Sequence, residues 1–90
     1  MSRSFRNAEQ AKAIMYDINN QLARLPYKPE VSKYCYNICD MVDDLSRLEV
    51  EVRRAHPRAK CHSDHDKLKG DIETGIKRLD RYILMLRLMA

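Results

Sequence analysis

Apolar residues recur at intervals of three and four along nearly the whole chain, in three runs separated by two breaks. In the first, from about Ala8 to Leu25, Ala11, Ile14, Met15, Ile18, Leu22 and Leu25 fall on one helical stripe. Asn7, with Gln10 three residues on, supplies a capping pair at its start. Pro26 and Pro29 bracket the turn LPYKPE, because proline cannot continue a helix interior yet suits the first turn of the next. The second run, about Pro29 to Ala55, carries Val31, Tyr34, Cys35, Ile38, Met41, Val42, Leu45, Leu48 and Val52. At 1.5 Å per residue it predicts a rod of roughly 40 Å. Pro57 ends it, and HPRAKCHSDH reads as the connection. Ser63 or Asp64 is expected to cap a third helix over about 64–90, with Asp64 and Asp66 near its positive end. Its stripe is Leu68, Ile72, Ile76, Leu79, Tyr82, Ile83, Leu86 and Met89. Gly70 and Gly75 weaken its first turns by about 1 kcal/mol each relative to alanine, so close helix contact or tolerated softness is expected there.

These runs predict an all-α, antiparallel up-down-up helical bundle forming one domain over residues 1–90, with helices at about 8–25, 29–55 and 64–90. The first helix is too short to cover the long pair, so apolar surface remains for another chain. The tail RYILMLRLMA sharpens that expectation, because Ile83, Leu84, Met85, Leu86, Leu88 and Met89 cover most of the helix circumference. Leu84, Met85, Leu88 and Met89 are therefore the predicted partner interface, for self-association or for docking. Ninety residues leave roughly 40% of the unfolded surface exposed after folding, which makes burial against a partner worth more.

Charge adds a second candidate surface. Seventeen Lys and Arg against thirteen Asp and Glu give a formal charge of +4, compatible with nucleic acid, an anionic surface or an acidic protein. The densest cations are Arg53, Arg54, Arg58 and Lys60, with no acidic residue between Glu51 and Asp64. They are the predicted phosphate-contacting patch, although cations at a helix C-terminus are also favoured by the macrodipole alone. Arg78 and Arg81 form a secondary strip on the third helix, beside Lys67, Lys69, Lys77 and Arg87 and interrupted by Asp71, Glu73 and Asp80. Asp40, Asp43, Asp44, Glu49 and Glu51 make the second helix acidic, so acid on one protomer can meet base on the next. Pairs such as Asp43 with Arg47 are expected along this solvated face. Two functional readings stay open: a nucleic-acid-binding accessory subunit, or a purely protein-directed regulatory or structural module whose basic surface meets an acidic partner.

The chain does not read as an enzyme. It has no phosphate-cradling glycine loop, no serine motif with an oxyanion hole and no carboxylate pattern for a metal. Cys61, His62, Asp64 and His65 are zinc-binding types, but structural zinc wants a second ligand pair and none lies nearby, so no metal and no cofactor is expected. Three cysteines cannot all pair, and Cys35 and Cys39 face the same way on a helix, which reads as reduced thiols in a cytoplasmic protein. MSRSFRNAEQAK reads as no signal peptide, and no stretch approaches the roughly 20 apolar residues of a membrane span. Of five tyrosines, Tyr34 and Tyr82 fall on the stripes, while Tyr27 and Tyr36 are freer to stack on bases.

The order of a first helix, then RLPYKPEVSKYCYNICDMVDDLSRLEVEVRRA, then a third helix ending IKRLDRYILMLRLMA resembles the accessory variability determinants, the four-helix-bundle accessory proteins of diversity-generating retroelements. The likeness runs from about Ile14 to Met89 and rests on periodicity and a few arginines. It implies a cytoplasmic homo-oligomer with a basic surface that binds RNA or DNA and a reverse transcriptase. Arg53, Arg54, Arg78, Arg81 and Arg87 are the matching positions. Three helices stand here where the family has four, so completion of the bundle by another copy or a partner is expected.

Overall fold

The computed structural model describes residues 4–26, 29–54 and 59–89. They form three helices, α1 (Ala8–Leu22), α2 (Pro29–Arg54) and α3 (Ala59–Met89), with no strand among the described residues.

Each helix boundary has a local cause. Asn7 is extended (φ −146°, ψ 171°), and its side-chain oxygen accepts the Gln10 N–H at 2.9 Å, satisfying one of the orphan donors of a helix start. Gln10 returns the link, but to the N–H of Arg6 at 2.7 Å, one residue further out than in a capping box. α1 ends at Leu22, three residues short of the expected Leu25. There the chain tightens into a turn in which Arg24 N–H donates to Gln21 O and Leu25 N–H to Leu22 O. Pro26 explains this, because a proline disfavours helical backbone in the residue before it. α2 starts on Pro29 with Glu30 in its first turn and ends on Arg53 and Arg54, all favoured by the macrodipole; Ala55 lies outside the described residues.

α3 begins at Ala59, five residues earlier than the polarity of HPRAKCHSDH suggests. Ser63 and Asp64 are therefore exposed interior positions of the helix and not its cap. A helix needs backbone hydrogen bonds, not apolar side chains. Between Pro57 and Gly70 no proline or glycine interrupts them.

The helices alternate in direction. Ala8 of α1 meets Glu49 of α2, which lies beside His65 of α3, while Arg87 at the far end of α3 reaches Gln21 at the far end of α1. The observed architecture is thus the all-α, antiparallel up-down-up bundle, with extents of 51 × 21 × 18 Å.

One buried stripe per helix makes the core: Ala11, Met15 and Ile18 from α1, Ile38, Val42 and Leu45 from α2, and Ile72, Ile76, Leu79 and Ile83 from α3. No polar or charged residue among the described ones is buried with them. Phe5, ahead of α1, closes one end of the core with Lys69 Nζ 5.9 Å from its ring centroid. Met89, expected on the α3 stripe, is exposed instead, because the stripe has outrun the helices it packs against.

α2 and α3 pack closely at Gly75. A Cβ there would collide with Ile38 Cδ1 and press on Cγ1, whereas one on Gly70 would meet nothing within 4 Å. Gly70→Ala is therefore expected to raise stability by about 1 kcal/mol through helix propensity. Gly75→Ala is expected to lower it, because overpacking a filled core costs about 1–3 kcal/mol. Urea unfolding midpoints of the two variants check the opposite signs.

Candidate nucleic-acid interface

The predicted cations divide between the two ends of α2. Arg53 and Arg54 occupy its last turn and are exposed. Successive residues point about 100° apart around a helix, so the two guanidiniums leave α2 in different directions. Arg53 lines an open cavity of 720 Å³ together with Lys12 from α1 and His65 from α3. Arg58 lies outside the described residues; the backbone of Lys60 is in the first turn of α3, and its side chain is not described. Arg78 and Arg81 are exposed on α3. Arg78 borders a 210 Å³ largely apolar cavity with Val31, Tyr34 and Tyr82, at the beginning of α2, where Glu30 also lines it and offsets part of its charge. At 1.5 Å per residue, Val31 and Arg53 stand roughly 33 Å apart along α2, so one chain presents two separate cationic sites. Arg87 is engaged within the molecule, donating from Nη2 to Gln21 Oε1 at 2.6 Å.

The cavity beside Arg53 has an internal brace that the sequence did not disclose. Glu49 Oε2 accepts the Ala8 N–H at 2.9 Å and lies 3.6 Å from His65 Nε2, so one carboxylate of α2 touches both other helices. His65 Nδ1 lies 3.7 Å from Asp66 Oδ1. The Glu49 and His65 side chains are only 16% and 21% exposed, so their contact lies largely out of solvent. A carboxylate at the start of α1 also offsets the positive end of that helix. With Glu9 beside it, the lining mixes Lys12 and Arg53 with two acids and His65, and Arg54 stands exposed next to Arg53.

His65 is thus turned toward Glu49, not toward a zinc cluster. No group of three or more His, Cys, Asp or Glu that could hold a metal occurs among the described residues, and the side chains of Cys61 and His62 are not described. The expected Asp43–Arg47 pair is replaced by Arg47 with Asp44, three residues apart and at 2.6 Å.

The apolar tail divides as a helix must. Ile83 is buried and Leu86 packs on the core, while Leu84, Met85, Leu88 and Met89 are 58%, 53%, 79% and 80% exposed. Among the described residues, no helix is long and apolar enough to cross a membrane. Tyr36 is open as expected, and so is Tyr16, both 71% exposed; Tyr27 lies outside the described residues. Cys35 and Cys39 are free thiols. Burial, with a smaller contribution from Cys39, pushes the Cys35 thiol from 9.0 up to about 11. Burial also raises Cys39, against a side-chain hydrogen bond with Asn19 that lowers it.

Comparison with family models, with curated proteins and with solved structures gave no match to this chain.

Two outcomes follow from these side chains. Glu49→Ala strips the Ala8 N–H of its acceptor, and losing a hydrogen bond to a charged group costs about 1.5–3 kcal/mol. Chemical denaturation gives the loss, and amide exchange at Ala8 localises it. For Cys35, the unfolded thiol ionises near 9.0 and the folded one near 11, so its contribution is complete below the first value and lost as pH rises through the second. The urea midpoint should fall between about pH 8.5 and about pH 10.5 by more in the wild type than in Cys35→Ala.

Proposed function

We propose that this chain is a small, non-catalytic, basic helical adaptor that binds nucleic acid and docks protein. Arg53 and Arg54, with Arg58 and Lys60 following in sequence, make the main phosphate contacts, and Arg78 and Arg81 add a second site. Leu84, Met85, Leu88 and Met89 dock other copies of the chain and a protein partner such as a reverse transcriptase. The adaptor acts in the cytoplasm, where Cys35 and Cys39 stay reduced.

The observation that carries this reading is the exposed Arg53–Arg54 turn, which projects past the Glu49 brace and has Lys12 and His65 around the same cavity. Guanidinium forks pair bidentately with phosphate, and such contacts need no base-specific geometry. The resemblance to the retroelement accessory proteins points to the same arginines. A second reading, a protein-directed module that meets an acidic partner, is favoured by Glu9 and Glu49 in the cavity lining, which weaken its pull on a polyanion.

Electrophoretic mobility shift with mixed single- and double-stranded DNA and RNA separates the two. The adaptor reading expects a shift that Arg53→Glu with Arg54→Glu weakens across all sequences, lowering the salt slope by about two while helicity stays unchanged. Unchanged affinity in the folded double variant moves the binding to Arg78 and Arg81. No shift with any probe leaves the protein-directed module.

A further inference from the structure

We propose that the C-terminal strip of α3 seats in the groove between α1 and α2 of a second copy of this chain. The inference rests on the self-association proposed above and names the surface that receives it.

The groove is built from two adjoining cavities of 230 and 180 Å³ that share Asn19 and Cys39. Lys12, Met15, Tyr16, Val42 and Asp43 complete the first; Ser32, Cys35 and Tyr36 complete the second. No residue of α3 lines either, so the groove opens on the side of the bundle away from α3. Met15 and Val42 make the first cavity largely apolar, and the second is mixed, with Asn19 and Ser32 beside the thiols; the walls carry the exposed rings of Tyr16 and Tyr36, and exposed Asp43, with Asp40 near Cys39, makes the α2 rim acidic. Lys12 also lines the first cavity and offsets part of that acidity. Exposed tyrosines around a partly apolar trough are what a protein interface favours.

The strip has matching chemistry in matching register. Arg81, Leu84 and Leu88 lie along the solvent face of α3, with Arg78 one turn before Arg81. From Arg81 to Leu88 the helix advances roughly 10 Å, and from Asp43 to Tyr36 α2 advances roughly 10 Å in the other direction. With the two helices antiparallel, Arg81 lies over Asp43, Leu84 enters beside Tyr16 and Leu88 enters beside Tyr36. Base meets acid, Leu84 meets the largely apolar first cavity, and Leu88 meets the Tyr36 ring at the mixed second one. Strip and groove lie on opposite sides of one bundle, so they cannot meet within a chain; the contact is heterologous, one surface of each copy engaging the other surface of the next.

Reciprocal charge reversal in the full-length chain tests the pairing, read by sedimentation velocity at micromolar concentration without nucleic acid. All four positions are exposed, and circular dichroism confirms that the variants fold. Asp40→Arg with Asp43→Arg makes groove and strip both basic; Arg78→Asp with Arg81→Asp makes both acidic. Each variant alone is expected to sediment as a monomer, and a one-to-one mixture to regain the wild-type assembly, because every contact in the mixture again joins opposite charges. A monomeric wild type overturns the self-association reading itself. An assembling wild type whose Asp40/Asp43 variant also assembles overturns only the pairing, and is the result expected if α3 strips pack on each other.

Discussion

Ile38 of α2 lies in the notch that Gly75 leaves on α3, and this contact fixes the register of the two long helices. Slid by one turn in either direction, Ile38 would face a residue with a side chain in a space sized for none. The register then decides which residues stand level with each other. It puts Glu49 beside His65 at one end and Val31 and Tyr34 beside Leu79 and Tyr82 at the other. Because α3 has 31 residues and α2 has 26, the last turns of α3 run on where α2 has not yet begun. Leu84, Met85 and Leu88 are exposed because they lie off the buried stripe and Met89 because it lies beyond the stripe's packed end, while Ile83 in the same tail is buried.

α1 adds the third side of the core and is shorter than either member of the pair. With 15 residues it spans roughly 22 Å, and polar links tie both of its ends. The Ala8 N–H is held by Glu49 and Gln21 by Arg87, so α1 is fastened to α2 at its start and to α3 at its end. The same brace shapes the charge distribution. Acids gather where α2 faces solvent in its middle, and cations gather at its end and on the outer face of α3. A bundle with unlike charges on different faces is suited to more than one kind of contact at once.

The hydrophobic pattern disclosed the fold because the core is made of one stripe per helix, and each stripe obeys the three/four spacing that periodicity reads. It did not disclose what depends on a third dimension. Phe5 is buried although it precedes α1, since it caps the bundle end and belongs to no stripe. Gly70 and Gly75 both pointed to close contact or softness, and only the packed helices assign them: Gly75 admits Ile38, while a Cβ on Gly70 would meet nothing within 4 Å. Glu49 looked like one more acid on a solvated face, and His65 like part of a metal-type run; their tie spans two helices and no local spacing encodes it. The start of α3 was missed because its first turns are polar all round. Of the candidate site, the exposure of Arg53, Arg54, Arg78 and Arg81 and of the apolar tail follows from the stripes. Their separation to opposite ends of α2 follows only from the hairpin register. Tyr16 sits one position beyond the buried Met15, at the lip of a groove that exists only once α2 is alongside.

The register is the central claim, and proton–proton distances reach it directly. In a nuclear Overhauser spectrum of the folded chain, the Ile38 methyl at Cδ1 should show strong cross-peaks to the α-protons of Gly75 and none to those of Gly70, which stands one to two turns away on open helix surface. Cross-peaks from Ile38 to Gly70, or the absence of any to Gly75, would contradict the register and with it the placement of both the cationic ends and the apolar strip.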